Sequence, residues 1–365
     1  MKFATDSEAA LRLMRKIDPE AYGRTRNFGD GAVTHLSPYI SRGVISTTTV
    51  YNHIMKMDLP WYKIQKLVQE LAWRDYWQLV WKEKGAAIDR DLRRPQENIR
   101  HHKIPKAIVE ADTGISAVDG AIKAFYETGY MHNHMRMYVA SIACNMGGAH
   151  WREPARWLYA NLLDGDWASN ALSWQWVAGS NANKKYFANQ ENINKYFGGE
   201  QRNTFLDVHY EDFENLDLPG VLEATVDFNL KTKLPESTFE GIDPSNRTLI
   251  YNYYNLDPNW HTDEKANRIL LLEPSFFERY PVSEKCVNFM LDLVDNIPGI
   301  QIYTGEFNRL MSQLGVDVYY KEHPTSSHYY GLEEPRDFLT DVEGYLPSFF
   351  AYWKNAKKQL TPKDM

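Results

Sequence analysis

Apolar positions in the first two hundred residues recur every three or four places, the period of helices with one buried face. Ala9, Leu13 and Ile17 follow Thr5-x-x-Glu8, which predicts a helix opened by a capping box. Residues 60–84 set Leu67, Leu71 and Trp81 among Lys, Gln and Glu with the same rhythm and predict one long helix. Gly114, Gly129, Gly147, Gly165 and Gly179 then punctuate helix-length runs, as glycine does at helix ends. After residue 204 the pattern changes. Residues 205–245 are acidic, dotted with proline and weakly periodic, which predicts an irregular linker. Short apolar runs follow at Thr248–Tyr253, Arg268–Leu272, Gln301–Tyr303 and Val316–Tyr320, with helical patterns at 283–295 and 307–314 between them. That alternation predicts an α/β domain with a parallel sheet. The expected organisation is a helical domain over 1–204, a linker over 205–245 and a smaller α/β domain over 246–365. No glycine-rich phosphate fingerprint follows a strand, so no nucleotide site is expected in the α/β part.

Composition narrows the class. The chain has 365 residues, 43% of them hydrophobic and 24% charged, which suits a globular protein and excludes disordered and fibrous classes. No apolar run is long enough for a membrane span. The first residues lack the apolar core of a signal peptide, so a cytoplasmic location is expected. Cys144 and Cys286 are the only cysteines, which excludes a disulfide framework and any four-cysteine cluster. Aromatics reach 14%, and nine of the 11 Trp lie before residue 200. Charge is uneven as well. Residues 1–200 hold 26 Lys and Arg against 21 Asp and Glu, so the net charge of −7 is carried by the acidic remainder. A basic surface on the first half, able to meet a polyanion, is compatible with that split.

Three clusters combine charge with aromatic rings at helical offsets. Glu70, Trp73, Arg74 and Trp77 share one helix face, either as a ligand site or as core indoles beside an intrahelical ion pair. Asn133, Arg136 and Met137 share another, next to the string His132-Asn133-His134. Those histidines point apart on a helix, where a metal pair needs i, i+4, so no metal site is expected. Asp164-Gly165-Asp166 precedes Asn170, Trp174 and Trp176. Two such carboxylates suit a metal, or guanidinium partners such as Arg74 and Arg136.

Five motifs together resemble the FAD-binding helical domain of DNA photolyases and cryptochromes. They are Tyr22-x-x-x-Arg26-Asn27-Phe28; Thr34-His35-Leu36-Ser37-Pro38-Tyr39-Ile40-Ser41-Arg42-Gly43; Glu70-Leu71-Ala72-Trp73-Arg74-Asp75-Tyr76; Thr128–Met137; and Asp164–Asn170 with Trp174-Gln175-Trp176. They stand in the family's order across residues 5–200. The resemblance implies bound FAD, non-covalent and reduced in the active form, with UV-damaged DNA as partner. By motif, Tyr22, Thr34, His35, Leu36 and Ser37 would hold the pyrophosphate region. Arg74, Asn133, Arg136, Asp164 and Asp166 would line the flavin site, and Asn170 would face flavin N5. Glu70, Trp73, Asn133, Met137 and Trp176 would receive a flipped cyclobutane pyrimidine dimer, with Arg26 on the DNA face. The implied activity is that of a deoxyribodipyrimidine photolyase-like lyase. The alternatives are a cryptochrome-like blue-light sensor and repair of the (6-4) photoproduct, whose enzymes place histidines in the substrate pocket.

Two departures stand out. Trp174 and Trp151 match the inner members of the family's electron-transfer chain, yet the third member's place, near Asn98–His101, has no Trp. The family's α/β antenna domain precedes its helical domain, whereas the α/β pattern here follows it. Leu272–Phe277 with Lys285 resembles a strand and helix of that antenna domain, which implies a permuted order. No residue identifies an antenna pigment.

Overall fold

The computed structural model describes residues 2–362. Its packing divides the chain into two compact units. One contains the chain up to Pro19, Thr34–Lys82 and everything from Leu230 on. The other contains Glu20–Val33 and Glu83–Asn229. The units therefore interleave along the sequence.

The helical unit holds Ser116–Thr128, Asn133–Ser141, Arg152–Asn161, Trp167–Ala178 and Gln190–Phe197, with a π turn at Ile142–Met146. A short antiparallel ribbon joins β1 (Ile104–Pro105) to β2 (Thr225–Val226). Two predicted glycine stops are present. Gly129 (φ 71°) and Gly179 (φ 84°) close Ser116–Thr128 and Trp167–Ala178 in the left-handed conformation. Gly165 has a different role: a Cβ there would lie 2.9 Å from the Tyr159 carbonyl, so the residue permits a close backbone approach.

The other unit contains most of the long helix Trp61–Lys84 and a five-stranded parallel sheet. Its strands are β3 (Arg247–Tyr251), β4 (Ala266–Leu272), β5 (Ile300–Thr304), β6 (Val318–Lys321) and β7 (Leu332–Glu334), in the order β5-β4-β3-β6-β7. The helices Glu284–Val294 and Phe307–Leu314 fall where the sequence predicts them. Ile250, Ile269, Leu271, Val318 and Tyr320 pack with Phe307, Leu310 and Leu314 in the core. The chain winds outward from β3 and then returns to its other side. That reversal makes the carboxyl ends of β3 and β6 the place where such sheets commonly bind ligands. Here the chain's own side chains pack it. His323 stacks on Tyr254 at 4.4 Å, and the buried Arg42 lies over Tyr253 at 3.6 Å.

Two expectations need correction. The capping box does not form. Glu8 precedes helix Ala9–Met14 without a side-chain cap, while Asp6 accepts the Glu8 N–H and pairs with Arg12 at 2.6 Å. A carboxylate tied to a following guanidinium has displaced the Thr5 hydroxyl. The basic first half is also not a structural unit. The acidic segment through Asn229 packs with the helices, stacking Phe213 on Phe187, and in that unit acidic residues outnumber basic ones. No helix among the described residues is long and apolar enough to cross a membrane.

Candidate functional site

The site residues expected from sequence divide between the units. Tyr22, Arg26, Asn133, Arg136, Met137, Trp151, Asp164, Asp166, Asn170, Trp174 and Trp176 belong to the helical unit. Thr34, His35, Leu36, Ser37, Glu70, Trp73 and Arg74 belong to the sheet-bearing one.

In the helical unit the turn Asp164-Gly165-Asp166 joins Arg152–Asn161 to Trp167–Ala178. Asp164 is 5% exposed, and one terminal nitrogen of Arg136 donates to both its oxygens, at 3.0 and 2.8 Å. Arg136 Nε donates to the Met131 carbonyl at 2.8 Å, which orients the guanidinium. A buried carboxylate persists as an ion where a guanidinium and further hydrogen bonds replace water. Asp166 caps the next helix by accepting the Ser169 N–H at 2.7 Å. One turn on, Asn170 Nδ2 donates to the Ala155 carbonyl at 2.7 Å, which fixes its buried amide. The Ser169 hydroxyl is buried and has no hydrogen-bond partner among the described residues. Burial pushes the Tyr130 phenol up to about 12, and Arg136 lies 5.8 Å from its ring centre.

The histidines of the His-Asn-His string make local hydrogen bonds. His132 Nδ1 accepts the His134 N–H at the start of Asn133–Ser141, and His134 Nδ1 bonds the Asn27 carbonyl at 3.0 Å. The second bond fastens the Tyr22–Phe28 segment, with Arg26, to this helix. Burial lowers the His134 pKa, and the neighbouring Arg26 charge acts in the same direction. Asn133 is exposed, Met137 half-buried and Trp176 37% exposed, its ring 5.8 Å from Tyr186. Trp174 and Trp151 are buried.

In the sheet-bearing unit Arg74 donates to Ser41 Oγ at 2.9 Å, tying the long helix to the segment that begins at Thr34. His35 adopts φ 54° between Thr34 and Leu36. Glu70 pairs with Lys66 at 3.3 Å, one turn back on the same helix. Phe349 lies on Trp73, ring centres 3.6 Å apart and planes 10° apart. Nothing in the sequence signals that contact. Asp75 is buried and accepts from Leu339 N–H and Thr47 Oγ1 at 2.7 and 2.8 Å. Burial pushes its pKa up to about 6 against those bonds. Sequence reasoning also missed Asp89 and Asp91, which accept the indole N–H groups of Trp167 and Trp151, each at 2.7 Å. Their i, i+2 spacing in Ala87-Ile88-Asp89-Arg90-Asp91 was the available signal.

Residues 67–203 match the family described as the FAD-binding domain of DNA photolyase. A deoxyribodipyrimidine photo-lyase of Alkalihalophilus pseudofirmus is 28% identical over 46% of this chain and 36% of its own length. A cryptochrome DASH of Natronomonas pharaonis is 29% identical over 48% of this chain and 39% of its own. The crystal structure of a class III photolyase from Agrobacterium tumefaciens superimposes with a TM-score of 0.43 at 28% identity, covering 53% of this chain and 42% of that one. The chain thus spans about two fifths of the length of the curated relatives it matches.

Proposed function

We propose that this chain, which through residues 67–203 belongs to the photolyase and cryptochrome family, repairs cyclobutane pyrimidine dimers in DNA with blue light. The observation that supports it most is the buried Arg136–Asp164 pair beside Asp166, Asn170 and the unpartnered Ser169 hydroxyl. This set of acceptors and donors fits FAD, which carries hydroxyls, an imide and phosphates. When bound, FAD supplies light absorption and the one-electron chemistry that opens the dimer's cyclobutane ring.

The protein's residues bind and orient. Asp164 and Asp166 accept hydrogen bonds from the cofactor, and Arg136, neutralised on one side by Asp164, keeps N–H donors for it. Asn170, pinned by the Ala155 carbonyl, presents its amide in one orientation. The exposed Trp176 ring stacks on an extruded base, Met137 fills the apolar wall, and Asn133 bonds the base edge. Arg26 meets a phosphate. His134 is committed to the Asn27 carbonyl, which favours the cyclobutane lesion over the (6-4) product.

The second reading is blue-light sensing without repair. It draws on Phe349, which lies on the Trp73 face that a lesion base would need. Reconstitution with FAD, followed by titration with damaged and undamaged oligonucleotides, separates the readings. Flavin binding with a preference for damage supports repair, and flavin binding without that preference supports sensing.

A further inference from the structure

The sequence has no tryptophan near Asn98–His101, the place of the electron chain's third member, and beside Trp151 the structure places a carboxylate and two histidines. Segment 100–101 lies along 148–150: Arg100 N–H donates to the Gly148 carbonyl and His150 N–H to the His101 carbonyl, both at 2.8 Å. Trp151 follows, wholly buried, and its indole Nε1–H donates to Asp91 Oδ1 at 2.7 Å. Asp91 is itself held, because Oδ2 accepts the Gln96 N–H at 2.9 Å. The Gln96 side chain in turn accepts the Trp151 backbone N–H at 2.9 Å. His150 Nε2 lies 3.4 Å from Asp91 Oδ1, and its ring stacks on exposed His102 with centres 4.9 Å apart. A line of proton-carrying groups thus runs from a buried indole to solvent.

We infer that Trp151 is the last electron donor of this chain and that Asp91 takes its indole proton when it is oxidised. The inference rests on the reading that Trp174 and Trp151 pass electrons to the flavin. An indole N–H is a negligible acid in the neutral ring and becomes a strong one once an electron is removed. In the step, one electron leaves Trp151 toward oxidised Trp174; a bound oxidised flavin would supply the light-driven electron acceptance that oxidises Trp174. The Nε1–H bond breaks, the proton goes to Asp91 Oδ1, and a neutral tryptophan radical remains. A thiol in solution later returns one electron, and the proton returns from Asp91. The bond is already within the reach proton transfer requires. Burial lowers the His150 pKa, with the Asp91 charge acting against it, and its Nε2, 3.4 Å from Asp91 Oδ1, stands next in line toward solvent. In a chain with a third tryptophan, distance separates the charges. Here loss of the proton makes the return of the electron unfavourable.

The test is laser-flash spectroscopy of the flavin-loaded protein, following the visible absorption of the tryptophan cation radical and its conversion to the neutral radical. Asp91→Asn keeps an acceptor oxygen for the indole, places its amide nitrogen against the Gln96 N–H, and cannot take the proton. It is expected to slow the conversion on the order of a hundredfold and to lower the long-lived radical yield, with Asp91→Glu restoring much of both. In flavin-free protein labelled with 15N-tryptophan, Asp91→Asn should shift the Trp151 indole signal, assigned by its absence in Trp151→Phe. Conversion at the wild-type rate in Asp91→Asn, or no restoration by Asp91→Glu, overturns the proposal. If Trp151→Phe leaves the radical signal unchanged, the electron-supply reading beneath it falls, and the proposal with it.

Discussion

Replacing Arg136 with Met isolates the interaction on which the flavin-site reading depends. The side chain of Met has similar reach and no charge, so Asp164, 5% exposed, would keep its carboxylate and lose both guanidinium bonds. Removing one partner of a buried ion pair costs about 3–5 kcal/mol, because the remaining charge is left without compensation. The Met131 carbonyl would also lose its 2.8 Å donor, worth about 1 kcal/mol. For a unit of this size each kcal/mol moves the unfolding temperature by about 2–4 °C, so the combined loss of about 4–6 kcal/mol gives an expected fall of roughly 8–24 °C. Pairing the change with Asp164→Leu removes the uncompensated charge. The two losses should then sum to more than the double variant's, by about 1–3 kcal/mol. Flavin content and thermal unfolding are read on the same samples. If Arg136→Met unfolds within about 2 °C of the wild type and retains its flavin, the pair neither holds the turn nor serves the cofactor, and the reasoning fails.

Other consequences follow from single contacts. Asp75, pushed up to about 6 in the fold from 3.8, takes up a proton on folding between about pH 4 and 6. Its contribution is fully present below that window and is lost as pH rises through it, by up to about 3 kcal/mol. Asp75→Asn should therefore flatten urea midpoints compared at pH 4.5 and 7.5. Phe349→Ala opens a cavity on Trp73 and should cost about 3–5 kcal/mol in chemical unfolding, with a red shift in tryptophan emission. If Trp73 stacks a lesion base, the same change strengthens binding to a dimer-containing oligonucleotide measured where the protein stays folded. Trp176→Ala should weaken binding to damaged DNA by about 1–3 kcal/mol and leave undamaged DNA unaffected. Arg26→Ala should weaken both and flatten the salt dependence, as loss of a phosphate contact does.

The local elements were legible where one physical period dominates. Helix Trp61–Lys84 and strands β3 to β6 follow from apolar spacing, because each buries one face or both. Their grouping was not legible. Trp73 and Trp77 carry the same helical signature whether their face meets a ligand or, as here, Phe349 at the far end of the chain. Contacts of such sequence separation leave no local period. The site residues were legible as motifs, and the structure adds which pairs form: Arg136 with Asp164, Arg74 with Ser41, and Glu70 with Lys66. The role of Asp91 was hard to read from its acidic spacing for a simple reason. Its partner, Trp151, lies sixty residues away, and a short acidic spacing in a turn reads as solvated surface.

The account's central claim is light-driven splitting of cyclobutane dimers, and the direct measurement is their number in UV-irradiated DNA. The flavin-loaded protein, pre-reduced, is mixed with that DNA and divided between blue light and darkness. The account predicts dimers lost in proportion to blue-light dose, none lost in darkness and none lost with flavin-free protein. A protein that holds reduced flavin, binds the DNA and leaves the dimer count unchanged under blue light would contradict it.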